Sequence, residues 1–134
     1  MKTATMRSAC PISCTLDVLG DKWSLLIMRD LLLFGTNSFG EFLLSDEKIA
    51  RNILADRLEV LVKEAFIVKE VSPDNKSKFL YYPTKKGVDL VPMLLQLAAW
   101  SQKHNPSCKP KKEVAAYTDS KGKAMRDLKK RIRQ

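Results

Sequence analysis

Between residues 39 and 82 the spacing of apolar side chains changes from a helical period to an alternating one, and that change limits what the chain can fold into. Phe39, Phe42 and Leu43 recur at helical spacing, which predicts a short helix over Phe39 to Ser45. A polar connection, Ser45-Asp46-Glu47-Lys48, leads to a second helix predicted over Ala50 to Ala65. Leu54, Leu58, Leu61 and Val62 form its apolar stripe, while Arg51, Asn52, Ala55, Asp56 and Glu59 face away. Two helices joined by a short polar turn, the second with a polar outer face, make a helix-turn-helix pattern, although any helical hairpin produces one. Directly behind them, Phe66 to Val71 is β-rich, Ser72-Pro73-Asp74-Asn75 has turn chemistry, and Lys78 to Tyr82 is β-rich again.

A hairpin placed at once after the second helix is the order of a winged helix-turn-helix, and the order says more than any single element. We therefore expect an α+β, mostly α fold: a winged helix-turn-helix with a two-stranded wing, flanked by N- and C-terminal dimerisation helices. Pro11 to Leu19 reads as a first helix, with proline tolerated in its first turn. Gly20 is the expected stop, and Asp21 the N-cap of a helix from Lys22 to about Phe34. In that helix Trp23, Leu26, Ile27, Leu31 and Phe34 form the apolar set, with Arg29 and Asp30 on the other side. Thr84 is the expected cap of a last long helix to about His104, kinked by Pro92 near Asp89. Beyond Pro92 the run Met93 to Trp100 is apolar nearly all round, so it needs partners on two sides. One of them is expected to be a second subunit, met by Leu94, Leu97, Ala98 and Trp100, although burial within one domain stays open.

Composition bounds the remainder. At 134 residues the chain has room for one domain. Its apolar runs fall short of a membrane span, and no apolar stretch behind Lys2 and Arg7 makes a signal peptide, which points to the cytoplasm. Residues 1–9 read as an arm, 10–104 as the domain, and 105–134 as a basic linker with a short terminal helix from Asp119 or Ser120 to Lys130 or Arg131. The charge is uneven: residues 1–104 carry 14 Lys/Arg against 12 Asp/Glu, residues 105–134 carry 10 against 3. That basic tail favours polyanions. It keeps a second class open, a sequence-independent nucleic-acid-binding architectural protein driven by the tail, beside the plainer reading of a solubilising extension. An enzyme is not expected, since the chain has one histidine, His104, and nothing on which to build a catalytic constellation. Cys10, Cys14, His104 and Cys108 have spacings a zinc site can use, but no metal and no cofactor is expected.

Several segments, in order, resemble the HxlR-type regulators, a branch of the MarR-like winged-helix group. Cys10-Pro11 is similar to the family's opening Cys-Pro, and Gly20-Asp21-Lys22-Trp23 to its Gly-Gly-Lys-Trp, with Asp for the second Gly. Phe39-Gly40-Glu41-Phe42 and Ile49 to Leu58 resemble the family's helix-turn-helix. Tyr81-Tyr82-Pro83-Thr84, Gly87 and Trp100 follow in register, so the likeness runs over roughly residues 9–104. Two departures stand out: Ala50 replaces the usual Ser or Thr cap of the recognition helix, and Pro83 replaces an apolar residue at the wing's exit. The resemblance implies a sequence-specific transcriptional regulator that binds a double-stranded DNA operator as a homodimer. A small-molecule or oxidant effector is compatible with it.

On that reading Arg51 and Asn52, at the start of the recognition helix, are the expected base contacts: Arg pairs with guanine and Asn with adenine. Ala55 can meet a thymine methyl, and Asp56 either a cytosine amino group or only solvent. Ser38 is expected on a backbone phosphate, and Lys76 and Lys78 on phosphate or minor groove, unless those lysines serve solubility alone. Arg57 is read first as a structural pairing residue, and Trp23 and Trp100 as core or interface residues. Cys10 stands before a helix start, where a thiolate is favoured. Some members of the family sense oxidants, quinones or aldehydes through a cysteine there. Cys108 is a second candidate for redox sensing, and inert thiols remain the plain alternative.

Overall fold

The computed structural model describes residues 5–119 and 121–134. Residues 1–4 of the arm, and Ser120 as a helix start, lie outside the described residues. In chain order the elements are α1 (Pro11–Leu19), α2 (Ser24–Leu33), α3 (Phe39–Phe42), α4 (Arg51–Lys63), β1 (Ile67–Val71), β2 (Phe79–Pro83), α5 (Lys85–Val88), α6 (Val91–His104), α7 (Lys112–Ala116) and α8 (Lys123–Lys129). The expected α+β winged helix-turn-helix is present: α3 and α4 form the helix-turn-helix, and β1 and β2 form the wing.

The core is built from one face of each helix. Ile27, Met28, Leu31 and Leu32 of α2 meet Leu54, Leu58 and Leu61 of α4, with Phe42, Ile67 and Val91 closing around them. β1 and β2 pair antiparallel from Ile67–Pro83 at the root to Val71–Phe79 near the tip. Alternation turns Lys69, Phe79 and Tyr81 toward α4, and Val68, Glu70, Leu80 and Tyr82 outward. A bridge between Ser38 and Leu80, with the Tyr81 N–H donating to the Asn37 carbonyl at 2.8 Å, ties the wing to the entry of α3.

The junctions follow from local chemistry. The Asp21 carboxylate accepts from the N–H groups of Trp23 and Ser24 and from the Ser24 hydroxyl, which fastens the start of α2 as expected. Gly20 stops α1 by close approach: its φ is −82°, and a Cβ there would stand 2.4 Å from the Leu16 carbonyl oxygen. After α4, Ala65 takes a left-handed φ of 63°, and the Phe66 N–H donates to the Leu61 carbonyl. This closing turn throws the chain straight into β1. Thr84 caps α5, accepting from the Gly87 N–H and donating to the Ala65 carbonyl.

Four expectations need correction. The long last helix is two helices, because Pro92 suits a first turn and α6 begins at Val91 instead of kinking. Asp30 does not face solvent; it is 5% exposed, since Arg29 and the turn after α3 fold over it. Leu94 is buried in the protomer's own core, one helical turn beyond Val91, and cannot face a partner. The terminal helix is present as α8, but the stretch before it is more than a linker: it contains α7, and α8 sends Leu128, 0% exposed, into the core, against which Met125, Val114, Tyr117 and Ile132 also pack.

Candidate nucleic-acid interface

α4 is the element able to enter a groove. Its inner edge is spent on the core, which leaves Arg51, Asn52, Ala55, Asp56 and Glu59 together on an exposed face. Ala50 supplies no capping side chain, as its chemistry dictates. The open start of α4, with Arg51 beside it, suits an anionic oxygen. The Arg51 guanidinium lies 5.5 Å over the ring of Phe39, which holds the side chain at the front of the helix. Arg57, half-buried, pairs with Asp21 at 3.0 Å and so locks α4 to the start of α2. Opposing its own burial, the Asp21 carboxyl is held below the usual range by the Ser24 hydroxyl, two backbone N–H groups and Arg57.

Ser38 does not join this surface as a phosphate contact. It is buried, its Oγ accepts from the Glu41 N–H at 3.3 Å, and it donates to the Glu41 carboxylate at 3.1 Å. This reciprocal box caps α3. The Ser-x-x-Glu spacing was the available signal for that role.

The turn between α3 and α4 is held by a group that the sequence left unassigned. Arg29 of α2 donates through two nitrogens to the Glu47 carboxylate, both at 2.8 Å, and to Asp30 at 2.7 and 2.9 Å. The Ser45 hydroxyl bridges to Glu47 at 2.8 Å. The fork of Arg29 carries the Glu47 carboxyl down to about 2, and Glu47 in turn raises Arg29. Burial pushes Asp30 upward despite Arg29. From the start of α7, Lys111 reaches Asp46 in the same turn at 2.9 Å.

The wing flanks α4 across an open cleft of about 700 Å³, lined by Ala55 and Glu59 on the helix side and by Lys69, Asn75, Ser77 and Lys78 on the wing side. Asn75 organises the tip, its side-chain oxygen accepting from the Ser77 N–H and hydroxyl. Lys76 and Lys78 are exposed there.

Two features lie away from this face. Cys10 is exposed at the N-cap of α1, and the N–H groups of Ser13 and then Ile12 lower its pKa. Cys14 is half-buried, and Cys108 is exposed beyond α6. Among the described residues no three His, Cys, Asp or Glu gather as a metal cluster. Leu97 and Trp100 of α6 are exposed, Trp100 at 64%, as are Ile12 and Leu16 of α1. Ala98 is half-buried, and Trp23 packs against the core.

The HxlR-like helix-turn-helix family model matches residues 18–109. The chain is similar to YdeP of Bacillus subtilis (strain 168), a transcriptional regulator of the helix-turn-helix type, with 32% identity over 95 residues, 71% of this chain and 73% of YdeP. Among solved structures it is similar to PA1607, with 36% identity, a TM-score of 0.69, and coverage of 78% of this chain and 73% of that one. It is also similar to the redox regulator HypR in its oxidized form, with 28% identity, a TM-score of 0.62, and coverage of 72% and 98%.

Proposed function

The chain belongs to the HxlR-like helix-turn-helix family, a family of transcriptional regulators, and from that premise we propose that it reads a specific operator in duplex DNA as a homodimer. The observation that carries the reading is the exposed face of α4, with Arg51, Asn52, Ala55 and Asp56 in one stripe beside a lysine-tipped wing. Arg51 and Asn52 are the base-reading pair, and Lys76 and Lys78 bind phosphate or minor groove. The reading implies work at the chromosome, in the cytoplasm. The exposed Leu97 and Trp100 on α6, with Ala98 between them and Ile12 and Leu16 on α1, support a dimer interface. Leu94 has no part in it.

The test is a footprint on the DNA flanking the encoding gene, followed by competition with a scrambled duplex. A specific regulator is not displaced by the scrambled sequence. A binder driven by the basic tail is displaced equally by both. Light scattering at micromolar concentration checks the dimer, and a monomer there removes it.

We further propose that Cys10 responds to oxidants or electrophiles. Its exposure, its place at the start of α1 and the lowering of its pKa support this, as does similarity to a redox regulator. Diamide then weakens operator binding in the wild type and not in Cys10→Ser. A response abolished only by Cys108→Ser moves the sensor to the far side of α6.

A further inference from the structure

Residues 117–133 are tied to the body of the domain at several points. Leu128 is fully buried, Arg131 donates to the carbonyls of Leu31 and Leu32, and the Tyr117 hydroxyl donates to the Leu32 carbonyl at 2.8 Å. Those carbonyls belong to the last turn of α2, which has no intrahelical donors for them, and a cation is favoured at that end.

Thus anchored, the last residues reach the wing. The Arg133 N–H donates to the Pro83 carbonyl at 2.8 Å, at the wing's root. Its guanidinium lies 4.2 Å over the ring of Tyr82 and 3.5 Å from the Glu70 carboxylate. Tyr82 and Glu70 stand on the wing's outward face, and Glu70 pairs with Leu80, one step short of the last rung of the ladder. The inward face is held separately, by the edge-on contact of Tyr81 with Phe42 and by the bond to Asn37. A two-stranded ribbon is a poor lever by itself. Here it is gripped on both faces, and the outward grip comes from residues beyond the segment matched by the family model.

We propose that the C-terminal segment is part of the DNA reader, with Arg133 as a positioning residue that holds the wing in the pose from which Lys76 and Lys78 meet the DNA backbone. The proposal rests on the DNA-binding reading above. Arg133 touches no DNA itself; it acts through Glu70, Tyr82 and Pro83. The pair is exposed and adds little to global stability. Its loss therefore loosens the wing without unfolding the domain.

The test uses the full-length protein in two measurements. Amide hydrogen exchange across residues 72–78, without DNA, compares the wild type with Arg133→Ala, Arg133→Lys and Glu70→Gln. Operator affinity is then measured for Arg133→Ala, for Lys76→Ala and for the double variant over a range of salt. Faster exchange at the wing tip is expected in Arg133→Ala, with Arg133→Lys intermediate and the thermal midpoint almost unmoved. Affinity should fall about three- to five-fold, the scale of one exposed pair, with a shallower salt dependence. That loss should shrink or vanish when Lys76 is already alanine. Unchanged exchange at the wing overturns the proposal whatever the affinity does. Faster exchange with fully additive affinity losses also overturns it, because the grip then does not serve the wing's contact. If the wild type binds no duplex at all, the DNA-binding reading falls and takes the positioning role with it; the exchange data show separately whether the grip exists.

Discussion

The two halves of the proposed DNA-reading surface are anchored in different ways. The turn before α4 is fixed by a partly buried charge cluster in which one guanidinium serves two carboxylates at 2.7–2.9 Å. The wing hangs on a short ladder, an aromatic contact, backbone bonds to Asn37 and Arg133 near its root, and an exposed ion pair at 3.5 Å. A cluster partly withdrawn from water has few alternative arrangements, and breaking it strands the charge of buried Asp30. An exposed ribbon has many poses that differ little in energy. The difference teaches that α4 is set by the fold, whereas the pose of the wing depends on weaker, exposed contacts.

The largest effect should come from breaking the rigid half. Arg29→Met leaves buried Asp30 without its cation, and should cost about 2–3 kcal/mol, less than for a fully buried pair because Glu47 is exposed. A urea titration reads it directly; a loss below about 1 kcal/mol would mean the cluster does not fix the turn. Next in size, Arg51→Ala and Asn52→Ala should each weaken operator binding by about 1–3 kcal/mol and relax one base pair per half-site. Lys76→Ala should instead weaken all duplexes alike and lower the salt slope by about 1. If both classes of variant behaved alike, the division of labour between helix and wing would be wrong.

Acid separates the halves in another way. Glu47 is depressed from 4.5 to about 2, so its contribution is present above its ordinary value and is lost as pH falls through that window. Asp30 is raised by burial, so its cost to the folded state is relieved by protonation, in the opposite sense. Relative to the wild type, Glu47→Gln should flatten the fall in stability between pH 4.5 and about 2, measured by denaturant midpoints at stepped pH. The smallest effect belongs to the wing: Glu70→Gln should change global stability by less than about 0.5 kcal/mol. A larger change would make the wing part of the cooperative core.

Much of this was legible in the residues. The period change at Phe66, the stripe of α4, the caps at Asp21 and Thr84 and the pairing role of Arg57 all follow from local spacing and side-chain chemistry. What was missed depends on distant partners. Asp30 reads as a surface charge until Glu47 and Ser45, far along the chain, are folded over Arg29. Leu94 and Trp100 lie six residues apart on one apolar helix, and only the packing of α2 decides which of them points inward. Ser38 carried its own signal, the glutamate three residues on, but the expectation of a phosphate contact overrode it. In the tail, Leu128 lies at helical spacing among ten cations, but nothing local says that it and Tyr117 pack on the core and α2.

The bond from Arg131 to the Leu31 carbonyl joins residues 100 positions apart. Synthesis runs from the N-terminus, so α2 leaves the ribosome long before the residues that satisfy its last carbonyls exist. Until Leu128 emerges, the core has an open end, and the final closure is a long-range step of the slow kind. A variant cut before Leu128 keeps every element of the helix-turn-helix and should expose apolar surface at its base.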